Sequence, residues 1–537
     1  MLDAIRNTQH VLLLLLFAFA FAGCSPQRPP ANLVIVNGAE PGSLDPATST
    51  GLEELRVTMA LFEGLMRVDP VTAQPIPGLA ERYEISPDRK TYTFHLRTNA
   101  VWSTGEPITA RDFVYSWFRV LNPATASEYV GQLFYIKNAE RWVNKQLTNR
   151  TEVGIHSPDD FTLQVELENP TPFFLDLCAF QTLSIVPWHL IERYGDHWMR
   201  VRPLSVSGAY QLESWRLNDR IRLRKNPRYW DASNTGCEVI DLLPIRSAST
   251  SLNLYERKEV DIIWDKEMIP SELYQTLRER SDFHSFNYLG TYFLRFNTTR
   301  KPLDDSRVRR ALALTIDKQR LMDKIIKTGE PIAHQLVPPY TTNSLLIDAP
   351  RYDLETARRL LKDAGFEMGK GFPPIEYLFE SVAGGASVHS KVGVELQQMW
   401  QEALGIRVEL RQMEKRVYLK AQRSMEYDVT RSTWIGDYND PVTFLDLFRS
   451  NNGNNRTGWK NAQYDELMDR AAREPDLKRR SQILRDAETL LVRDEAPIAP
   501  VYFFAGFNYY DPQRVSGITG NILDSHPLNA IRKLAKE

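Results

Sequence analysis

The stretch that most constrains the fold is residues 353–410. Asp353 opens a helix-periodic run that Gly365 closes. Residues 387–404 form a second such run, ended by Gly405, and Ile406-Arg407-Val408-Glu409-Leu410 follows as a strand. An aspartate at a helix start accepts from the free N–H groups there, and a glycine at the end takes the left-handed turn. Helix, glycine and strand in this rhythm predict layered α/β structure. At 537 residues the chain is too long for one hydrophobic core, so two or three domains are expected.

The rest of the chain reads the same way. Residues 32–37, 92–96, 161–167, 260–264, 291–297 and 497–504 have the composition or alternation of strands. Helical spacing recurs over 55–65, 109–120, 187–194, 252–258, 464–472 and 481–492. Thr109 is placed to cap the second of these, and Asp305 or Ser306 to cap a helix carrying Val308, Ala311, Leu312 and Ile316 on one stripe. Ser207-Gly208-Ala209-Tyr210 begins a β-meander.

Charge and motifs exclude several functions. The 66 basic and 68 acidic residues give a net charge of −2, with no basic stripe for nucleic acid. None of the nine histidines falls in an H-E-x-x-H pattern. Gly384-Gly385-Ala386-Ser387-Val388-His389 lacks the closing glycine of a nucleophile elbow, and residues 365–371 fail as a phosphate loop. The chain is therefore read as a non-enzyme with no catalytic residues, metal site or cofactor.

The N-terminus is a targeting segment. Arg6 supplies the positive start, and residues 11–22 are apolar but too few to span a bilayer comfortably. Ala22-Gly23-Cys24-Ser25 resembles a bacterial lipobox, in which the cysteine is acylated and becomes the first residue. A plain signal peptide with an incidental cysteine is the alternative. The lipoprotein reading places the mature chain in the periplasm or cell envelope, with Arg28-Pro29-Pro30 as an extended tether from Cys24. Cys178 and Cys237 either pair there or remain buried thiols.

One segment stands out as a binding site. Arg431-Ser432-Thr433-Trp434-Ile435-Gly436-Asp437-Tyr438-Asn439-Asp440-Pro441 is a strand running into an acidic, aromatic turn. Asp437 offers a fixed negative charge, Trp434 and Tyr438 flat walls, and Gly436 room for a ligand backbone. That set suits a small cationic ligand. The plain alternative is an ordinary turn with Asp437 as a cap and Trp434 in the core.

The segment 434–441 resembles the W-x-A/G-D-Y-x-D/E-P motif of the extracellular peptide-binding proteins of ABC importers, the oligopeptide-binding type. Further landmarks follow in the family order: Gly42-Ser43-Leu44-Asp45-Pro46, residues 61–65, 101–107 and 110–117, Ser207-Gly208-Ala209-Tyr210, Asn226-Pro227-Arg228-Tyr229-Trp230, and residues 305–312. The resemblance implies a two-lobed periplasmic-binding-protein-like α/β clamp of three domains, with a hinge and an interlobe ligand cleft. It implies a lobe I core from residues 24–63, 200–287 and 505–537, an accessory domain at 64–199 and a lobe II domain at 288–504. It places ligand contacts at Asp437, Trp434, Gly436, Tyr438, Arg431, His389, Tyr129, Gly51 and Leu52. In this scheme Asp437 pairs with a peptide's α-ammonium and Arg431 helps hold its C-terminal or side-chain charge. The partners implied are an oligopeptide and a membrane permease and ATPase complex, and the protein is a monomer. Binders of dipeptides, murein peptides, chelated nickel, haem, opines and sugars on the same fold remain alternatives. The cysteine positions of a disulfide found in some relatives are held by Gly290 and Ile435.

Overall fold

In the computed structural model, residues 29–264, 270–381 and 388–535 are described. The signal segment and Cys24 lie outside them. Among the described residues no helix is long and apolar enough to cross a membrane.

A ten-stranded mixed sheet runs through the molecule. Its middle is a pair of long antiparallel strands, Phe283–Phe296 and Ile498–Tyr510. Residues 283–287 pair with 505–509, and residues 291–295 pair with 498–503, with the register shifting in between. On one side of this pair come Ile262–Ile263, Leu33–Val36, Val239–Leu243, Arg220–Lys225 and Tyr210–Arg216. On the other come Val429–Ile435, Ile375–Glu380 and Val408–Met413. The chain is thus a two-lobed α/β clamp whose lobes share two continuous strands.

Both long strands are longer than their sequence suggests, because most of their residues are buried on both faces and alternation disappears. Gly290 and Gly506 interrupt them for a packing reason. A Cβ at Gly290 would strike the Phe504 ring, and one at Gly506 would strike the Phe286 ring. Each glycine lets an aromatic from the neighbouring strand lie across the backbone.

The α/β layers expected around 353–410 are present. Helix Leu354–Asp363 is capped by Asp353, whose carboxylate accepts from Thr356 N–H at 3.0 Å. Gly365 and Gly405 take the left-handed turns, with φ of +94° and +70°. Helices Ser306–Leu314, Leu354–Asp363 and Val388–Leu404 cover one face of lobe II around Tyr292, Leu312, Leu361 and Trp400. A second core of Leu289, Phe293, Phe444, Tyr464 and Leu484 fills the opposite face.

In lobe I, strands Ala80–Ile85, Thr91–Leu96, Thr162–Glu166 and Ile155–Asp159 form a separate antiparallel sheet. Helix Ala110–Val120 opens with Thr109, whose N–H donates to Asp112 Oδ2 at 2.7 Å. The apolar core under this sheet is continuous with that under Leu33–Val36. Cys178 and Cys237 are both buried free thiols.

Candidate functional site

The turn after strand Val429–Ile435 is fixed by several independent bonds. Gly436 N–H donates to Leu289 O at 2.7 Å, and Asp437 N–H to Thr443 Oγ1 at 3.1 Å. Asn439 Oδ1 accepts from Thr342 N–H at 2.8 Å. Asp440 is deeply buried and takes both terminal nitrogens of Arg480, at 2.7 and 2.8 Å. This is a bidentate guanidinium–carboxylate pair, the geometry that holds planar groups most firmly. The turn presents its remaining side chains on a rigid frame.

Tyr438 carries the turn across to lobe I. Its ring stacks on Phe173 at 4.2 Å and 7°, and its hydroxyl lies 3.2 Å from that of Tyr135. Tyr135 meets the same Phe173 edge-on at 5.0 Å. Three aromatic rings thus join the lobes beside Asp437.

Behind this contact lies a cavity of about 290 Å³ between the lobes. Lobe I contributes Gly51, Leu52, Tyr129, Asp176, Phe180 and Gln181, and lobe II contributes Tyr288, Thr433, Trp434, Asp437 and Tyr438. The cavity is mainly apolar, which suits a bound ligand body. Among the described residues its charged side chains are Asp176 and Asp437, with no cation. Among the described residues, the Asp437 carboxyl meets no hydrogen-bond donor and no cation. Burial alone pushes it up to about 7. Tyr129, on the same cavity wall, is raised too, first by burial and then by the Asp437 charge. Asp176 also rises to about 7, through burial and then through Asp440, with the backbone N–H of Asn439 among the groups opposing the rise.

Seven of the nine residues expected to contact ligand therefore converge: Gly51, Leu52, Tyr129, Trp434, Gly436, Asp437 and Tyr438. Gly51 sits at the start of helix Leu52–Leu61, where Glu54 accepts the Thr50 and Gly51 N–H groups at 2.7 and 3.0 Å. The glycine at 436 serves packing. A Cβ there would meet Leu289 at 2.7 Å and Thr443 at 3.0 Å, so the space expected for a ligand is occupied by protein.

Arg431 and His389 do not line this cavity. Arg431 Nε donates to the buried Glu380 Oε2 at 2.6 Å, and its guanidinium lies over Tyr418 at 5.5 Å. His389 stacks on Tyr292 with Nε2 3.8 Å from Glu380 Oε1. Arg431 lines a smaller recess of about 110 Å³ with Arg295 and Arg456, and this recess shares Thr433 and Trp434 with the main cavity. Arg295 bonds to Ser432 Oγ at 3.0 Å and Asn454 O at 2.7 Å, meets no carboxylate among the described residues, and is lowered by burial to about 10. Sequence reasoning missed Asp176, Arg295 and Arg456. Asp176 carries no signal beyond lying in an apolar helix, Phe174–Ala179.

The comparisons with known proteins fix the family. Residues 74–456 match the model of the bacterial extracellular solute-binding proteins, family 5. The chain belongs to that family. It is 35% identical over 499 residues to the periplasmic oligopeptide-binding protein OppA of Salmonella typhimurium, covering 91% of this chain and 90% of that one. It is 33% identical to the probable deoxycholate-binding periplasmic protein YgiS of Escherichia coli, over 93% of this chain and 94% of that one. The structure of Haemophilus influenzae OppA in complex with the peptide RPPGFSPFR matches with a TM-score of 0.79 and 31% identity, covering 94% of this chain and 99% of that one.

Proposed function

We propose that this chain captures peptides outside the cytoplasmic membrane and delivers them to an ABC importer, with Asp437 binding the peptide's α-ammonium. The observation that carries this reading is the Asp437 carboxyl, half-buried in the wall of the interlobe cavity without a cation of its own among the described residues. An isolated carboxylate is costly in such a place, and a ligand ammonium supplies the missing charge. A free α-amino group is protonated below about pH 7.7, so it arrives charged.

The backbone offers the second half of the recognition. Strand Val429–Ile435 pairs with Ile375–Glu380 only through Val429 and Thr430, so residues 431–435 are laddered on one side alone. An extended peptide can add along that edge and face Gly51 and Leu52 across the cavity. Affinity then comes from main-chain bonds, which tolerate varied side chains. The basic recess at Arg295, Arg431 and Arg456, which adjoins the cavity through Thr433 and Trp434, is assigned to the ligand's carboxyl end. A deoxycholate-type ligand fits less well, because its carboxylate would face a cavity that holds two acids and, among the described residues, no cation.

The reading extends to the whole chain. Lobe I is assigned to residues 24–63, 200–287 and 505–537 with 64–199 as accessory domain, and lobe II to 288–504. The hinge falls where the two long strands change register. Cys24 carries a lipid, and the protein works as a monomer with a permease and ATPase complex.

A thermal-shift series on protein lacking residues 1–24 tests the proposal, with each dipeptide to pentapeptide run beside its N-acetylated twin. Ligand at a hundredfold its Kd stabilises by about 2.7 kcal/mol. Free peptides are expected to raise the Tm and acetylated twins to leave it unchanged. Equal shifts from both members of a pair would remove Asp437 as the anchor.

A further inference from the structure

The cavity holds one acid more than an α-ammonium requires. Asp437 comes from the lobe II turn and Asp176 from the lobe I helix Phe174–Ala179, and both line the same cavity. The backbone N–H of Asn439, two residues on from Asp437, helps oppose the rise at Asp176. The nearby cations are already committed. Arg480 is bound by Asp440 at 2.7 and 2.8 Å, and Arg449 by Asp446 at 2.6 Å and Asp469 at 2.7 Å. A ligand with a single ammonium neutralises one of the two cavity acids. The other is left in a mainly apolar cavity with only backbone N–H groups, its own and that of Asn439, to oppose the cost of its charge.

We infer that Asp176 is a specificity-determining residue that pairs with a cationic first side chain, so that the cavity selects peptides beginning with lysine, ornithine or arginine. The inference rests on the α-ammonium reading of Asp437. A basic first residue brings two cations separated by the length of its side chain, to be set against two acids that line one cavity from opposite lobes. A neutral first residue must be accommodated with Asp176 protonated, which forfeits the second ion pair. Close charge pairs at protein interfaces show couplings that translate into roughly ten- to hundredfold in Kd, and a preference in that range is expected here.

The test compares Lys-Ala-Ala with norleucine-Ala-Ala, which keeps the side-chain length and removes the charge, and with the N-acetylated form of each. Titration calorimetry on the wild-type protein at pH 7 is expected to give a Kd for the lysine peptide at least tenfold below that for norleucine. Asp176→Asn is expected to bring the ratio to about one, and Asp176→Glu to retain a preference for lysine. A wild-type ratio near one, with the acetylated forms still rejected, overturns the role of Asp176 and leaves Asp437 as the anchor. Acetylated forms that bind as well as free ones overturn the Asp437 reading itself. A lysine preference that survives Asp176→Asn assigns the selectivity elsewhere and also overturns the inference.

Discussion

Asp437 and Asp440 are three residues apart on one turn, and their surroundings are opposite. Asp440 is sealed in the protein with Arg480 gripping both oxygens, and it also accepts from the Val442 N–H at 3.0 Å. Asp437 is half-buried in the cavity wall and has neither cation nor donor among the described residues. The first acid is satisfied by the fold and belongs to the scaffold. The second is left for something outside the fold to satisfy. Asp440 is fully buried while Asp437 keeps part of its surface open to the cavity, and partner count separates them further and marks the position that awaits a ligand.

Removing each acid should break the comparison in opposite ways. Asp437→Ala is expected to weaken peptide binding by roughly 3–5 kcal/mol, several hundredfold or more in Kd, because the bound ammonium loses its counter-charge. Its stability without ligand should hold or rise, since an unpaired buried acid contributes nothing favourable. Calorimetric titration and urea unfolding check the two halves. An unchanged Kd would place the anchor elsewhere. Asp440→Asn should instead cost about 3 kcal/mol of stability, because it strands the Arg480 guanidinium in the core. A stability loss under 1 kcal/mol in urea unfolding would show that the Asp440–Arg480 pair does not hold the turn.

Much of this was legible in the sequence, for identifiable reasons. Caps and glycines are local signals, so Thr109, Asp353, Gly365 and Gly405 marked helix ends correctly. The landmark segments also have structural work that keeps them recognisable. Asp45 is gripped by Arg119 at 2.9 and 2.5 Å, Asn226 Nδ2 donates to Gly208 O at 3.0 Å, and Glu63 accepts from Trp230 Nε1 at 2.8 Å. The long strands were read short because burial on both faces erases the period-two pattern. Asp176 and Glu380 were invisible because their importance depends on what lies opposite, and no local pattern records that. Arg431 was legible as an arginine beside the site but not as the partner of Glu380, which lies 51 residues away.

Proton linkage sharpens the contrast further. A carboxyl raised from 3.8 to about 7 is favoured by folding in its protonated form. Its contribution to stability is fully present below its unfolded value and is lost as pH rises through about 7. A bound ammonium reverses this by drawing the carboxyl back down. Peptide binding at pH 6 should therefore release about one proton from Asp437. Calorimetry in two buffers of different ionisation enthalpy reads that release, and Asp437→Asn should abolish it. Buffer-independent heats in the wild-type protein would mean that Asp437 is already ionised before ligand arrives.

The smallest expected effect concerns Gly436, the residue beside the anchor. If its role is packing, Gly436→Ala should cost about 1–2 kcal/mol of stability, the usual range for pressing an extra methyl into a filled space. The strain falls on the Leu289 side chain, which can shift, rather than on backbone. Gly290→Ala pushes instead on the stiffer Phe504 ring and should cost more, by about 1 kcal/mol. Urea unfolding of the two variants ranks them. If Gly436→Ala keeps full stability and loses affinity, the glycine is shaped for the ligand after all, and the turn would then be functional at 436 as well as at 437. If stability falls in the order given, the division between scaffold and ligand site runs between two adjacent residues.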